Sequence, residues 1–127
     1  MKQQMVFQYK KENPDLEKRK QESNQILKNF SDKIPVICEK DPKSKIASIV
    51  KTRYLIPKNH TISQFSYIIR KKVVLKNDES FYLLANGMNI LSGKDTMFEI
   101  YERYKDEDGF LYISYTSEVI WGNFYYK

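Results

Sequence analysis

An α+β domain, with helices laid across a sheet, is the fold class this sequence predicts. Three observations predict it. Two β-patterned segments, KIPVICEK and RYLIP, come before the best helix signal in the chain, which opens at Thr61. FYLLANGMNIL carries Asn86-Gly87, a strong hairpin turn, between apolar arms. Near the C-terminus, FLYISYT sets Leu111, Ile113 and Tyr115 on one side and Phe110 and Tyr112 on the other.

The elements follow in order. Asn13-Pro14 reads as a helix start, with Asn as the cap and Pro at the first helical position. LEKRKQESNQILKNF then places Leu16, Ile26, Leu27 and Phe30 among many charges, a mostly exposed helix over 14–30 that Ser31–Lys33 ends. In KIPVICEK, Ile34, Val36 and Cys38 alternate with Pro35 and Ile37; Pro35 lacks an N–H and predicts an edge strand. DPKSK is a turn, and RYLIP is a short strand closed by Pro57. Thr61-Ile62-Ser63-Gln64 is a capping box, and Ile62, Phe65, Ile69 and Val73 form a helical stripe to about Val73. Arg70, Lys71 and Lys72 sit in its last turns, where positive charge suits the helix dipole. Thr96–Glu99 repeats the capping box ahead of Met97, Ile100, Tyr101 and Tyr104, and the acidic loop KDEDG leads into the final strand. Two strands, a crossing helix and later strands match a β-grasp, the ubiquitin-like layering. The capped helix at 61–73 is expected on one sheet face and the charged helix at 14–30 on the other.

Composition narrows the function. At 127 residues and 41% hydrophobic content, with ten Tyr and seven Phe, the chain suits one domain with a substantial core. The N-terminal MKQQMVFQYKKE lacks a signal-peptide apolar run, and no stretch reaches the ~20 apolar residues of a spanning helix. Membrane association is therefore expected to be peripheral or covalent. A lone cysteine excludes an internal disulfide and a Cys-based zinc cluster, and suits a reducing cytosol. Cys38 lies in phase with core positions, which makes it an unpromising nucleophile for His60 to activate. Paired carboxylates, metal spacings, Walker loops and GxGxxG are absent from the sequence, and it does not read as an enzyme. The net charge of +6 is uneven: residues 1–60 hold fourteen Lys/Arg against seven Asp/Glu, and residues 61–127 hold eight against nine. An anionic partner for the N-terminal half follows. Nucleic acid is disfavoured as that partner, because no stacking or groove-reading motif accompanies the charge.

The last residues, SEVIWGNFYYK, contain the only glycine after Gly109. Gly122-Asn123 can be a hairpin turn pairing Val119–Trp121 with Phe124–Tyr126. Alternatively, Gly122 is a processing point and Asn123–Lys127 are discarded.

Several stretches in register carry a resemblance: EKR at Glu17–Arg19, IPVICEK at Ile34–Lys40, KTRYLIP at Lys51–Pro57, QFSYIIRKK at Gln64–Lys72 and FLYISYTSEVIWG at Phe110–Gly122. Over roughly residues 5–122 the chain resembles the autophagy ubiquitin-like modifiers, the family of the GABA-receptor-associated protein and microtubule-associated light chain three. The resemblance implies one ubiquitin-like β-grasp domain over 1–122, with two extra N-terminal helices in an extension at about 5–32. It favours the processing reading of the tail. A cysteine protease would cut after Gly122 and remove 123–127, and activating and conjugating enzymes would join the glycine to phosphatidylethanolamine. No other cofactor is implied. A glycine suits this chemistry because a tail without Cβ threads a narrow cleft and exposes its carbonyl to a thiolate. The lipid would anchor the protein without a spanning helix, giving cytoplasmic and autophagosome-membrane pools.

The resemblance also implies recruitment of cargo receptors through aromatic-x-x-aliphatic peptides that add as a strand. Positions matching the aromatic pocket are Glu22, Ile26, Pro35, Ile37, Arg53, Leu55 and Phe110. Those matching the aliphatic pocket are Tyr54, Ile56, Pro57, Phe65 and Ile68. Lys33 and Lys51, with Arg53, would meet acidic residues flanking the peptide, and Tyr82 and Leu84 match contacts of the processing protease. The chain departs from the family at Trp121, where Phe or Tyr is usual, and at His60, where an aliphatic residue often lines the second pocket. An unconjugated adaptor binding peptides or cytoskeleton is the competing expectation.

Overall fold

The computed structural model describes residues 5–75, 79–117, 120–121 and 124–125. The elements run α1 (Gln8–Glu12), α2 (Leu16–Asn29), β1 (Lys33–Lys40), β2 (Arg53–Pro57), α3 (Ile62–Arg70), β3 (Tyr82–Ala85), β4 (Asn89–Ile90), α4 (Met97–Tyr104), β5 (Leu111–Thr116), β6 (Ile120–Trp121) and β7 (Phe124–Tyr125). Five strands form one sheet in the order β2-β1-β5-β3-β4, with β1 and β5 parallel and the other pairs antiparallel. That is the β-grasp expected, with two N-terminal helices added.

Alternation along β1 and β5 serves two cores. Ile34, Val36, Cys38, Leu111, Ile113 and Tyr115 face α3 and α4, where Ile62, Phe65, Ile69, Met97 and Ile100 complete the main core. Ile37, Phe110 and Tyr112 face the other way, under Phe7 and Tyr9 of the N-terminal segment and Ile26 of α2. The Phe7 and Tyr112 rings meet edge-on at 5.1 Å, and Tyr9 and Phe110 at 5.4 Å.

The capping boxes form as the sequence predicts. Thr61 accepts from the Gln64 N–H and Thr96 from the Glu99 N–H, while Gln64 and Glu99 reach back to the cap N–H groups. The hairpin turns at Asn86 and Gly87, both at positive φ, with the Met88 N–H donating to the Ala85 carbonyl at 2.9 Å.

Three expectations are corrected. Asp15, not Asn13, caps α2, because its carboxylate accepts the Glu17 and Lys18 N–H groups. Asn13 instead closes α1, its N–H donating to the Tyr9 carbonyl at 2.9 Å. α3 stops at Arg70, although Val73 beyond it is still buried in the core. Most tellingly, β1 is not an edge strand: it lies between β2 and β5. The Cys38 N–H donates to the Thr52 carbonyl, so even-numbered residues of β1 bond β2 and odd-numbered residues point towards β5. Pro35 is odd-numbered and precedes Val36, the first residue paired with β5. Its missing N–H therefore falls where no ladder partner exists.

β6 and β7 pair at Ile120–Tyr125 and Trp121–Phe124, the backbone pairing of the hairpin reading. Gly122 and Asn123–Lys127 as a cleaved unit are another matter: Gly122, the expected processing point, lies outside the described residues.

Candidate functional site

β2 is an outer strand of the sheet, and its alternation follows from its pairing. Because Cys38 and Thr52 are a bonded pair, Tyr54 and Ile56 also turn their backbone groups to β1. Arg53 and Leu55 turn theirs outward, and Pro57 ends the row without an N–H. Side chains alternate in the other sense: Tyr54 and Ile56 sink into the main core, while Arg53 and Leu55 stay exposed on the α2 side.

Beside this edge lies a concavity of about 390 Å³ lined by Ile26 of α2, Pro35 and Val36 of β1, Lys51, Arg53, Tyr54 and Leu55 along β2, and Phe110. Its floor is apolar and its rim is cationic. Arg53 pairs with Glu22 across the groove, and its guanidinium stands 5.4 Å from the Tyr9 ring centroid. The Tyr9 hydroxyl donates to the same Glu22 carboxylate at 3.0 Å. Burial raises the Tyr9 phenol above its ordinary value despite Arg53, so it remains a donor. The Lys51 ammonium lies 5.0 Å over the Tyr54 ring, whose hydroxyl donates to the Lys51 carbonyl at 2.7 Å. Burial, then the nearby Cys38 and Tyr115, push the Tyr54 phenol up to about 12.

Of the residues matched to an aromatic pocket, the structure brings together Ile26, Pro35, Arg53, Leu55 and Phe110, with Glu22 on the rim. Ile37 lies beneath them, fully buried against the N-terminal aromatics. The residues matched to an aliphatic pocket divide. Tyr54, Ile56 and Phe65 are core, whereas Pro57 and Ile68 are half-buried. Lys33 and Lys51 flank opposite ends of the edge, since Lys33 stands across from Pro57 and Lys51 precedes Arg53. His60 is half-buried in the turn ahead of α3, with its N–H on the Pro57 carbonyl at 3.1 Å. Tyr82 lines a separate concavity of about 420 Å³ between α3 and the hairpin, and Leu84 is buried on β3.

Sequence reasoning missed what holds the groove's walls together. Asp108, wholly buried, accepts from Arg19 Nε at 2.8 Å, the Phe110 N–H at 2.9 Å and the Tyr112 hydroxyl at 2.5 Å. Ser23 Oγ donates to the Asp108 carbonyl. This network ties α2, which supplies Ile26, to the segment that supplies Phe110. Gly109 beside it has φ +92°, and a Cβ there would collide with Ser23 Oγ. The partners are 85 and 89 residues apart, beyond any local pattern.

Cys38 is completely buried, and burial with the Glu39 charge raises its thiol well above the ordinary range, so it stays protonated. Among the described residues no group of three His, Cys, Asp or Glu side chains could hold a metal ion, and no helix is long and apolar enough to cross a membrane.

A β-grasp sheet with helices on both faces defines a ubiquitin-like domain, here with an apolar groove beside an open edge strand. Comparison with known proteins narrows the class. The family described as autophagy protein Atg8, ubiquitin like, matches residues 18–122. The chain is 44% identical to autophagy-related protein 8 of Neurospora crassa over 120 residues, covering 94% of this chain and 98% of that protein. It is likewise 44% identical to autophagy-related protein 8 of Pichia angusta over 118 residues, with 93% of each covered. The crystal structure of Trypanosoma brucei ATG8 superposes with a TM-score of 0.81 at 32% identity, covering 93% of this chain and all of that one. The chain belongs to the Atg8 family of autophagy ubiquitin-like proteins.

Proposed function

We propose that this protein is a ubiquitin-like modifier that is conjugated through Gly122 to phosphatidylethanolamine and recruits cargo receptors through the β2 groove. The observation that carries the second half is the coincidence of three features at one edge. Arg53 and Leu55 turn their backbone groups outward, an apolar concavity opens beside them, and Lys51 and Arg53 supply positive charge. A peptide strand would bond the edge, seat an aromatic side chain among Ile26, Pro35, Leu55 and Phe110, and set acidic flanking residues near the cations. Each exposed ion pair contributes under ~1 kcal/mol, so these charges tune selection more than affinity.

Family membership and the lone tail glycine support the first half. Hydrolysis after Gly122 by a cysteine protease would free its carboxylate. An activating enzyme would join that carboxylate to a nucleoside triphosphate as a mixed anhydride with loss of pyrophosphate. Enzyme cysteines would displace the nucleotide to carry the acyl group as a thioester, and the lipid amine would displace the thiol to form an amide. This chain is the substrate of those steps and supplies no catalytic group. The test is intact mass spectrometry of the protein recovered from soluble and membrane fractions of its own cells. Loss of Asn123–Lys127 with a phosphatidylethanolamine adduct on membranes is the expected result, and Gly122→Ala should abolish it. A full-length terminus in both fractions would overturn conjugation and leave an unconjugated peptide-binding adaptor.

A further inference from the structure

One end of the sheet carries features that the groove does not use. β1 and β5 are parallel, so both finish at this end, and the 41–52 loop that joins β1 to β2 lies there too. The loop is irregular but firmly held. Ile46 and Ile49 are buried, the Ile49 N–H donates to the Tyr115 hydroxyl at 2.9 Å, and that hydroxyl donates to the Ala47 carbonyl at 3.2 Å. The Lys40 ammonium caps the Ser44 carbonyl at 2.6 Å. Between these anchors the loop turns other side chains outward. Lys43 and Lys45 are exposed, and Val50 is 101% exposed, the extreme among the large hydrophobics described. Val6, at 61%, faces Val50 across a concavity of about 740 Å³ that Lys11 also lines.

Three carboxylates, Glu12, Glu39 and Asp41, stand among the lysines here, and two of them are engaged by backbone N–H groups. The Glu39 carboxylate is occupied by the Gln8 and Tyr9 N–H groups at 2.6 and 2.9 Å, and Asp41 accepts the Lys43 N–H at 2.9 Å. Glu12 is the exposed carboxylate lining the concavity. Among the described residues neither Lys43 nor Lys45 has a carboxylate partner. The C-terminal tail leaves from the same place: the Asp41 N–H bonds the Tyr115 carbonyl at 2.9 Å, and the Ser117 N–H donates to Ser44 Oγ at 3.3 Å. Gly122 is only five residues beyond Ser117, a reach of at most ~18 Å when extended.

We propose that this end of the domain, centred on Lys43, Lys45 and Val50, is a non-covalent docking face for an anionic bilayer. Its orientation towards the membrane rests on conjugation at Gly122, but its charge and exposed valines do not. Lysines near an anionic leaflet attract it, a fully exposed Val50 inserts at the headgroup boundary, and a short tether holds this end against the surface. An acidic peptide would use the charge but leave Val50 in water. The groove beside β2 would remain open to the cytosol.

The test uses the unconjugated full chain and vesicles of phosphatidylcholine, with and without phosphatidylserine. The protein should float with the phosphatidylserine vesicles alone and be released by salt. Lys43→Gln with Lys45→Gln should lower the partition roughly thirtyfold, from two lost surface charges, while peptide binding in the β2 groove reports an intact fold. With Cys38 buried, a fluorophore on Val50→Cys should shift to the blue on those vesicles, and one on Glu107→Cys, before the start of β5, should not. Failure to float, indifference to the double substitution, or a shift at Glu107→Cys overturns the proposal. Gly122→Ala should float like the parent chain. A missing lipid adduct in cells would therefore defeat conjugation alone, and missing flotation would defeat this face alone.

Discussion

Replacing Asp108 by Ala tests whether one buried carboxylate holds the groove's walls. The side chain has no solvent exposure and accepts from three donors, Arg19 Nε, the Phe110 N–H and the Tyr112 hydroxyl. Alanine leaves the Arg19 guanidinium, 9% exposed, without its partner. Breaking such a pair from one side costs ~3–5 kcal/mol, against a total stability on the order of 5–15 kcal/mol. The two orphaned neutral donors add to this, though water entering the hole limits the sum. Burial, then the bond to Asp108, raises the Tyr112 phenol far above its usual range, so it stays a neutral donor throughout an ordinary titration. Urea unfolding followed by circular dichroism should show the midpoint falling by more than ~1 M, taking a slope of about 1–3 kcal/mol per molar. Arg19→Met combined with Asp108→Leu should recover much of the loss, because no buried charge is then left alone. A loss below ~1 kcal/mol for Asp108→Ala, or a double variant weaker than the single one, would refute this account.

Other outcomes follow from the same contacts. Arg53→Ala with Leu55→Ala should weaken an aromatic-x-x-aliphatic peptide by at least about tenfold in calorimetry, the cost of one apolar contact and one charge, and leave conjugation intact. Normal affinity would remove the groove assignment. Thr96→Ala should cost ~1 kcal/mol through the lost cap of α4, read as a lower thermal midpoint. Acid stability should follow two depressed carboxylates. The Thr96 backbone N–H, then its hydroxyl, hold Glu99 below its usual value. Burial pulls Asp106 upward, but Lys10 and the Asp108 N–H outweigh it and leave it low. Folded values below unfolded ones mean a contribution present above about pH 4.5 and lost as pH falls through the depressed values. Glu99→Gln should flatten that acid limb, and an unchanged limb would show that Glu99 plays no part.

What the sequence made legible was whatever is local. Both capping boxes, the Asn86-Gly87 turn and the two-faced alternation of FLYISYT form where short-range chemistry predicts. Pro35 misled because one residue reports whether its own N–H is needed, not how many neighbours its strand has. Asn13-Pro14 misled because Asp15, two residues on, competes for the same cap and wins with its charge. α1 is only five residues, too short to show a period, and depends on Glu39 from β1 to bond its first N–H groups. The groove residues were reached through resemblance to a family, and their local pattern alone would have assigned most of them to a core.

That ambiguity has a physical source, and it explains why a groove exists here at all. β1 and β5 are covered on both faces, so they are buried almost without a break along their length. β2 is covered on one face only, and its burial alternates. The N-terminal cover reaches Ile37, Phe110 and Tyr112 through Phe7, Tyr9 and Ile26 and stops short of Leu55. The strip between α2 and β2 is therefore apolar below, because it continues a core, and open above, because the cover ends. Arg53 bridges the gap by pairing with Glu22 instead of letting α2 close over it. A peptide strand would extend the sheet and complete the interrupted layer in one step. The proposed binding site is the place where this small domain leaves its second core unfinished.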